Sequence, residues 1–287
     1  MPDAVARDHR CANCGEPLAG EYCSHCGQQA IDYHRPFRDL LSDAIGDILN
    51  LDARLAHTLR PLLLSPGAVA KDYVAGRRAS HVPPLKSYLV AALIFFGLFT
   101  VFPSQAPVSV VIMGSPEEKA LKSQAGSKQT ISLPDHISFN DEWYQGAKTR
   151  AMQRPEELAH KVYENFPRAF FFFLPVFAVF LKLLYRKQGY LMDHLAFSLY
   201  YHAFVFLNFA LIFVAALSGR YLPGPVRTVL LLGLLLWLVS YLPIALRRMY
   251  GGARWLTGLK LIALGVLYVG AFISAMPFIV GAALLQF

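Results

Sequence analysis

Acidic side chains are almost missing from the carboxyl-terminal part of this chain: residues 167–287 hold ten Lys and Arg but a single acid, Asp193. The imbalance excludes a nucleic-acid footprint, which would gather its cations on a folded soluble face. Here the cations stand in short stretches between apolar runs, as in membrane loops that follow the positive-inside rule. Cysteine is absent after Cys26, which fits a reducing compartment better than an oxidised scaffold. The amino terminus, MPDAVARDHRC, lacks an apolar core, so no cleavable signal peptide is expected and the first insertion signal is internal. There is no HExxH motif, and no thioredoxin-like pattern surrounds the cysteines.

What is present is apolar. A chain of 287 residues that is 55% hydrophobic and 16% charged belongs with membrane proteins. Its net charge of +8 comes from the apolar part, because residues 1–86 balance ten basic against ten acidic groups and residues 105–166 carry seven against eight. Five runs approach the roughly 20 residues that cross about 30 Å of hydrocarbon. They are Leu85–Phe102, Pro167–Leu184, Leu195–Leu217, Val229–Leu246 and Leu256–Leu285.

The fold class read from them is an all-α integral membrane protein of about five transmembrane helices, with a small amino-terminal zinc knuckle and amphipathic cytoplasmic helices. Its expected modules are a knuckle at 9–34, cytoplasmic helices at 35–82, a first span at 83–104, an extracytoplasmic loop at 105–166 and a four-helix bundle at 167–287. Lys182, Arg186 and Lys187 follow the second span, and Arg247, Arg248, Arg254 and Lys260 lie between the last two. With Arg77, Arg78 and Lys86 as topological determinants at the membrane surface, the amino terminus is expected in the cytoplasm and the carboxyl terminus outside.

Cys11-Ala-Asn-Cys14-Gly and Cys23-Ser-His-Cys26-Gly place two CxxC turns eight residues apart. Such a turn lets backbone amides face the sulfurs, and the following glycine tolerates its backbone. Cys11, Cys14, Cys23 and Cys26 are therefore candidate ligands of one structural zinc ion. Its binding would supply most of the folding free energy here, on the order of 10–16 kcal/mol. Two disulfides or a redox dithiol are the competing readings; His9 and His25 are spare neighbours. Residues 1–30 set Arg7 and Arg10 against four acids and hold one aromatic ring, which serves neither phosphate attraction nor base stacking. A cytoplasmic protein partner is the better expectation.

Apolar residues at Phe37, Leu40, Leu41, Ala44, Ile45, Ile48 and Leu49 recur at helical spacing, and Leu51, Leu55 and Leu59 continue the stripe after a break near Asn50. The stripe suits an anionic membrane surface or, preferably, the protein's own spans. Pro61 and Ser65-Pro66 interrupt it, with Ser65 read as the N-cap of a short helix, Ala68 to Ala75, that Gly76 ends. Pro83-Pro84 then keep any helix from running straight into the bilayer. In the outer loop, His136 and His160 read as surface residues, and a helix from Pro155 leads into the second span.

Ionisable groups cost about 2.5–3.5 kcal/mol each at mid-bilayer. Only the third span carries such groups: Asp193 and His194 at its edge, His202 deeper, then the polar Asn208. Eight positions separate the histidines, roughly 12 Å along a helix, too far to share one metal ion. His202 either bonds a neighbouring helix or, with Asp193, His194 and Asn208, forms an intramembrane polar site for a proton, ligand or haem.

The set Cys11, Cys14, Gly15, Tyr22, Cys23, Cys26, Gly27 and Gln28, then Thr58-Leu59-Arg60, Pro66-Gly67, Tyr73, Gly76-Arg77-Arg78, Pro84 and Tyr88, with the later stretch Tyr190–Phe204, resembles the bacterial domain-of-unknown-function family 3667. The resemblance implies a cysteine knuckle joined to an apolar bundle in a bacterial inner membrane, and no activity. The expected function is a scaffold or transport accessory with a zinc-stabilised cytoplasmic docking module and no catalytic constellation. Its rival is an intramembrane carrier or enzyme using a polar cavity around His202.

Overall fold

Apolar runs punctuated by proline and glycine form seven α-helices, and no strand, among the residues that the computed structural model describes: 10–29, 54–101, 146, 149, 155–218 and 221–286. The helices are α1 (Arg54–Leu64), α2 (Ala68–Val74), α3 (Pro84–Val101), α4 (Pro155–Leu184), α5 (Leu191–Leu217), α6 (Gly224–Tyr250) and α7 (Arg254–Leu284). The stripe at 37–49, His9, His136 and most of the loop at 105–166 lie outside the described residues. Three helices, α5, α6 and α7, are long and apolar enough to cross a membrane; shorter apolar segments run from Pro84 to Leu98 and from Phe170 to Leu184.

Helix α5 is the centre. It is apolar on every side, the pattern of a helix surrounded by others, and it packs against α1, α2, α3, α4 and α6. In its apolar stretch 61% of residues are buried, against 17% in α6 and 11% in α7, so the latter two turn most of their apolar surface outward. Aromatic side chains fill the contacts. Phe204 stacks on Tyr241 of α6 at 3.5 Å between centroids, Phe206 packs on Tyr88, Phe95 and Phe96 of α3, and Phe177 of α4 stacks on Tyr201.

Two details depart from the sequence expectations. Helix α1 continues through Pro61 to Leu64 rather than stopping. A proline past the first turn forfeits the bond its N–H would have made and crowds the carbonyl four residues back, yet the helix runs on to Leu64. Ser65 does not cap α2; its N–H donates to the Pro61 carbonyl (2.9 Å), so it closes α1. The residue before α2 is Gly67, in the left-handed region at φ 72. A Cβ there would lie 2.8 Å from the Ala245 carbonyl oxygen and 2.9 Å from its Cα, so glycine is what lets the turn between α1 and α2 touch the α6 backbone. Elsewhere the signals hold: Gly76 follows α2 at φ 89, Pro84 opens α3, and α4 runs unbroken from Pro155.

Gly67→Ala is expected to destabilise the fold by about 2 kcal/mol through backbone strain and overpacking. Thermal unfolding in detergent should show a lowered midpoint for this variant and none for Gly20→Ala, which has open space around it. Equal midpoints would refute the close approach.

Candidate metal centre and the polar residues of the bundle

Each CxxC turn repeats one set of backbone bonds twelve residues apart. Cys11 N–H donates to the Glu16 carbonyl (2.7 Å) and Gly15 N–H to Cys11 (2.8 Å); Cys23 N–H donates to Gln28 (2.9 Å) and Gly27 N–H to Cys23 (2.9 Å). Gly15 and Gly27 both adopt positive φ, 80 and 71, which a side chain would oppose. The two turns face each other, so the short sulfur distances run between them: Cys11 to Cys26 at 3.6 Å and Cys14 to Cys23 at 3.5 Å. All four Sγ atoms lie within 4.8 Å of one another, and all four cysteines are free. Sulfurs at about 2.3 Å from a tetrahedral ion would be separated by similar distances, so the cluster is compatible with a metal site.

Crowding makes the Cys14 thiol hold its proton. A hydrogen bond from the Glu16 backbone works to lower the Cys14 pKa, but desolvation and bonds with the other three thiols outweigh it and push it up to about 12. Only a cation can let four sulfurs ionise side by side.

Gln28, two residues after Cys26, fastens this module to the rest of the chain. Its Nε2 donates to the Gly76 carbonyl (2.9 Å), and its Oε1 accepts from the Arg78 and Ala79 N–H groups (3.0 Å each). Ser80 Oγ donates to Asn13 Oδ1 at 2.9 Å, and Ala12 lies so near Gly76 that a Cβ there would be 3.1 Å away. Three residues further on, Val82 N–H donates to Thr58 Oγ1 (2.8 Å) and the Val82 carbonyl accepts from Tyr200 Oη (2.7 Å).

The charged residues expected at the membrane surface have local partners. Arg77 pairs with Asp72, and Arg78 donates from Nε to the Tyr73 carbonyl while its guanidinium lies 4.6 Å from the Tyr73 ring centroid. Lys86 is not at the surface; it is 4% exposed in the first turn of α3.

The four polar residues of α5 do not converge. Asp193 accepts from the Tyr190 N–H (2.7 Å) and so caps α5; Gly189 is tightly placed beside it, because a Cβ would sit 2.9 Å from Asp193 Oδ2. His194 is fully buried and bonds through Nδ1 to Tyr250 Oη of α6 (2.7 Å). His202 turns to α7 instead. Its Nδ1 lies 2.8 Å from the Ser198 carbonyl, which can only accept, so the neutral ring carries its proton there and Nε2 accepts from Tyr268 Oη at 3.0 Å. Asn208 is buried, its Oδ1 without a partner among the described residues. The sequence reading missed Gln28 as a fastener, Thr58 as the acceptor of a backbone N–H, and Tyr200, Trp237 and Tyr241 as donors to backbone carbonyls; their partners are 24 to 179 positions away, where no local spacing signals them.

Fold and site together define a helical protein suited to a lipid bilayer, with a four-thiol cluster of metal-binding dimensions fastened to it. The model of the family described as "Protein of unknown function (DUF3667)" matches residues 52–96, and this is the family that the sequence resembles. That stretch holds α1, α2, the turn that receives Gln28, and most of α3. No curated protein and no solved structure matches the chain.

Gln28→Ala removes the acceptor of two N–H groups and the donor to one carbonyl, a loss of roughly 1–3 kcal/mol per buried group left unpaired. Limited proteolysis should therefore cut between the cysteine module and α1 several-fold faster, while Glu16→Gln, at the equivalent position of the first turn, leaves the rate unchanged. Equal rates for both variants would refute the fastening.

Proposed function

We propose that this is a non-enzymatic protein of the bacterial inner membrane, a scaffold or transport accessory, whose zinc knuckle serves as a cytoplasmic docking module. The observation that carries the proposal is the Gln28 joint, which fastens a small cysteine module by three hydrogen bonds to the turn leading into α3. Cys11, Cys14, Cys23 and Cys26 would hold the zinc, which supplies folding free energy to a segment with few apolar side chains. Helices α3 to α7 are the five spans in this proposal, with α3 and the second half of α4 as short ones covered by neighbours. The modules are those of the sequence: 9–34, 35–82, 83–104, 105–166 and 167–287. The cations at 182, 186, 187, 247, 248, 254 and 260 support a cytoplasmic amino terminus and an outer carboxyl terminus.

His202 in this proposal is packing glue, because both ring nitrogens are engaged within the bundle. One observation favours the rival carrier or enzyme: the unpartnered Asn208 Oδ1, a buried acceptor that a bound polar group would satisfy.

Protein purified from cells is expected to carry one zinc ion per chain, lost in Cys14→Ser/Cys26→Ser. Chelator competition should show zinc affinity falling as pH is lowered, since each thiol must shed its proton to bind as a thiolate and the crowded Cys14 holds its proton strongly. Zinc-free native protein sinks the metal assignment. Crosslinking in native membranes should capture a partner that the double variant loses; capture that ignores the cysteines counts against docking. For topology, alkaline phosphatase fused at residue 125 or after 287 should be active, and inactive at the amino terminus; the reverse pattern inverts the orientation.

A further inference from the structure

The backbone carbonyls at the end of α1 are satisfied in an unusual way. A helix leaves its last carbonyls without intrahelical partners, and at a protein surface water takes them. Here α6 reaches across to supply the donors: Tyr241 Oη to the Leu62 carbonyl (2.7 Å), Trp237 Nε1 to Leu63 (2.8 Å), and Arg248 Nη1 to Pro66 (2.9 Å). Within hydrocarbon, internal satisfaction of this kind is obligatory.

The depth of these contacts can be read from the helices. One end of the bundle is marked by a cluster of aromatic rings and cations: Tyr185 stacks on Tyr250 at 4.1 Å, Lys260 Nζ lies 3.9 Å from the Tyr185 ring centroid, and His194 bonds Tyr250. Lys182 and Arg247 stand one turn from those tyrosines in sequence. Measured inward from Arg247, Tyr241 is six residues and Trp237 ten residues along α6, roughly 9 and 15 Å. Side chains on a helix lean toward its amino terminus, which in α6 is the end away from this cluster, so the reach of both rings carries the contact deeper. Val82, the residue before the Pro83-Pro84 pair, is held by Tyr200, six residues past His194 on α5; that helix starts at the cluster, so its tyrosine leans back toward it and this contact is the shallower one. At the tip of the hairpin Leu64 is 64% exposed, and on α6 Leu236 and Val239 are 70% and 75% exposed.

We infer that α1 and α2 form a re-entrant hairpin, whose tip from Leu63 to Pro66 lies inside the leaflet on the cysteine module's side with Leu64 against lipid acyl chains. The inference rests on the membrane-spanning proposal above. It replaces the picture of these helices as cytoplasmic: the chain descends along α1, turns at Ser65-Pro66-Gly67 against Ala245, and climbs along α2 to the turn that holds Gln28.

The test uses the full chain in liposomes of phosphatidylcholine brominated at mid-chain. Leu64→Trp places a reporter at the tip, and Val266→Trp, on the exposed face of α7, reports on the spans themselves; native protein supplies the background of its own three tryptophans. The expected result is that brominated lipid quenches the added fluorescence at 64 at least half as strongly as at 266, with less than one-tenth quenching at 64 by aqueous iodide. Iodide quenching at 64 with lipid quenching at 266 overturns the hairpin and leaves the spans standing. Loss of lipid quenching at both positions overturns the membrane-spanning proposal and the hairpin with it. On the unaltered chain, a phospholipid with a diazirine at its acyl terminus should label the tryptic peptide Leu55–Lys71 within threefold of the yield in α7; an unlabelled peptide beside a labelled α7 refutes the inference without any variant.

Discussion

The Val82 peptide is gripped on both edges, by Thr58 on its N–H and by Tyr200 on its carbonyl, at a residue with no exposed surface. Leaving either group unpaired there would cost about 1–3 kcal/mol, so one acceptor, Thr58, and one donor, Tyr200, fix the residue at which the chain turns into α3. Everything on the amino-terminal side is referred to that point. Thr58 is an α1 residue that also donates to the Arg54 carbonyl, so the grip ties the first helix to the start of the third. Tyr200 belongs to α5, the helix around which the others pack. The cysteine module joins three residues upstream, through Gln28 on Gly76, Arg78 and Ala79.

Much of the helical order was legible because it depends on local chemistry. Proline at 84 and 155 opens helices, glycine at 76 closes one, and apolar runs of span length become α5, α6 and α7. What was misread depends on distant neighbours. Pro61 and Ser65 carry real breaking and capping propensities, yet the end of α1 is set by donors on α6, and those arrive from 174 and 179 positions away. Lys86 is similar: its charge is a topological signal in the sequence, while its burial follows from packing in α3 that no charge count contains.

The four cysteines could be gathered on paper because two CxxC turns with following glycines force each pair of sulfurs to one side, and little remains but for the pairs to meet. The polar residues of α5 carried no such constraint. Their spacing excluded a shared metal, but whether they faced one cavity depended on which helices stood beside them. His194 meets α6, His202 meets α7, and Asp193 serves its own helix end.

Placement makes the cysteine module more than an appendage. Gln28 follows directly on the Cys26-Gly27 turn, so the position of its carboxamide is dictated by the backbone that also aims the Cys26 sulfur. A metal that draws four thiolates together would order that backbone, and the same ordering would present one donor and one acceptor to the Gly76 turn. Free of the metal, a segment with so few apolar contacts has little else to hold the carboxamide in place. The coupling is reciprocal by linkage. A turn that holds Gly76 to Ala79 in the receiving geometry favours the folded cysteine module, so a metal bound by the four sulfurs and any change in that turn would act on the same three hydrogen bonds.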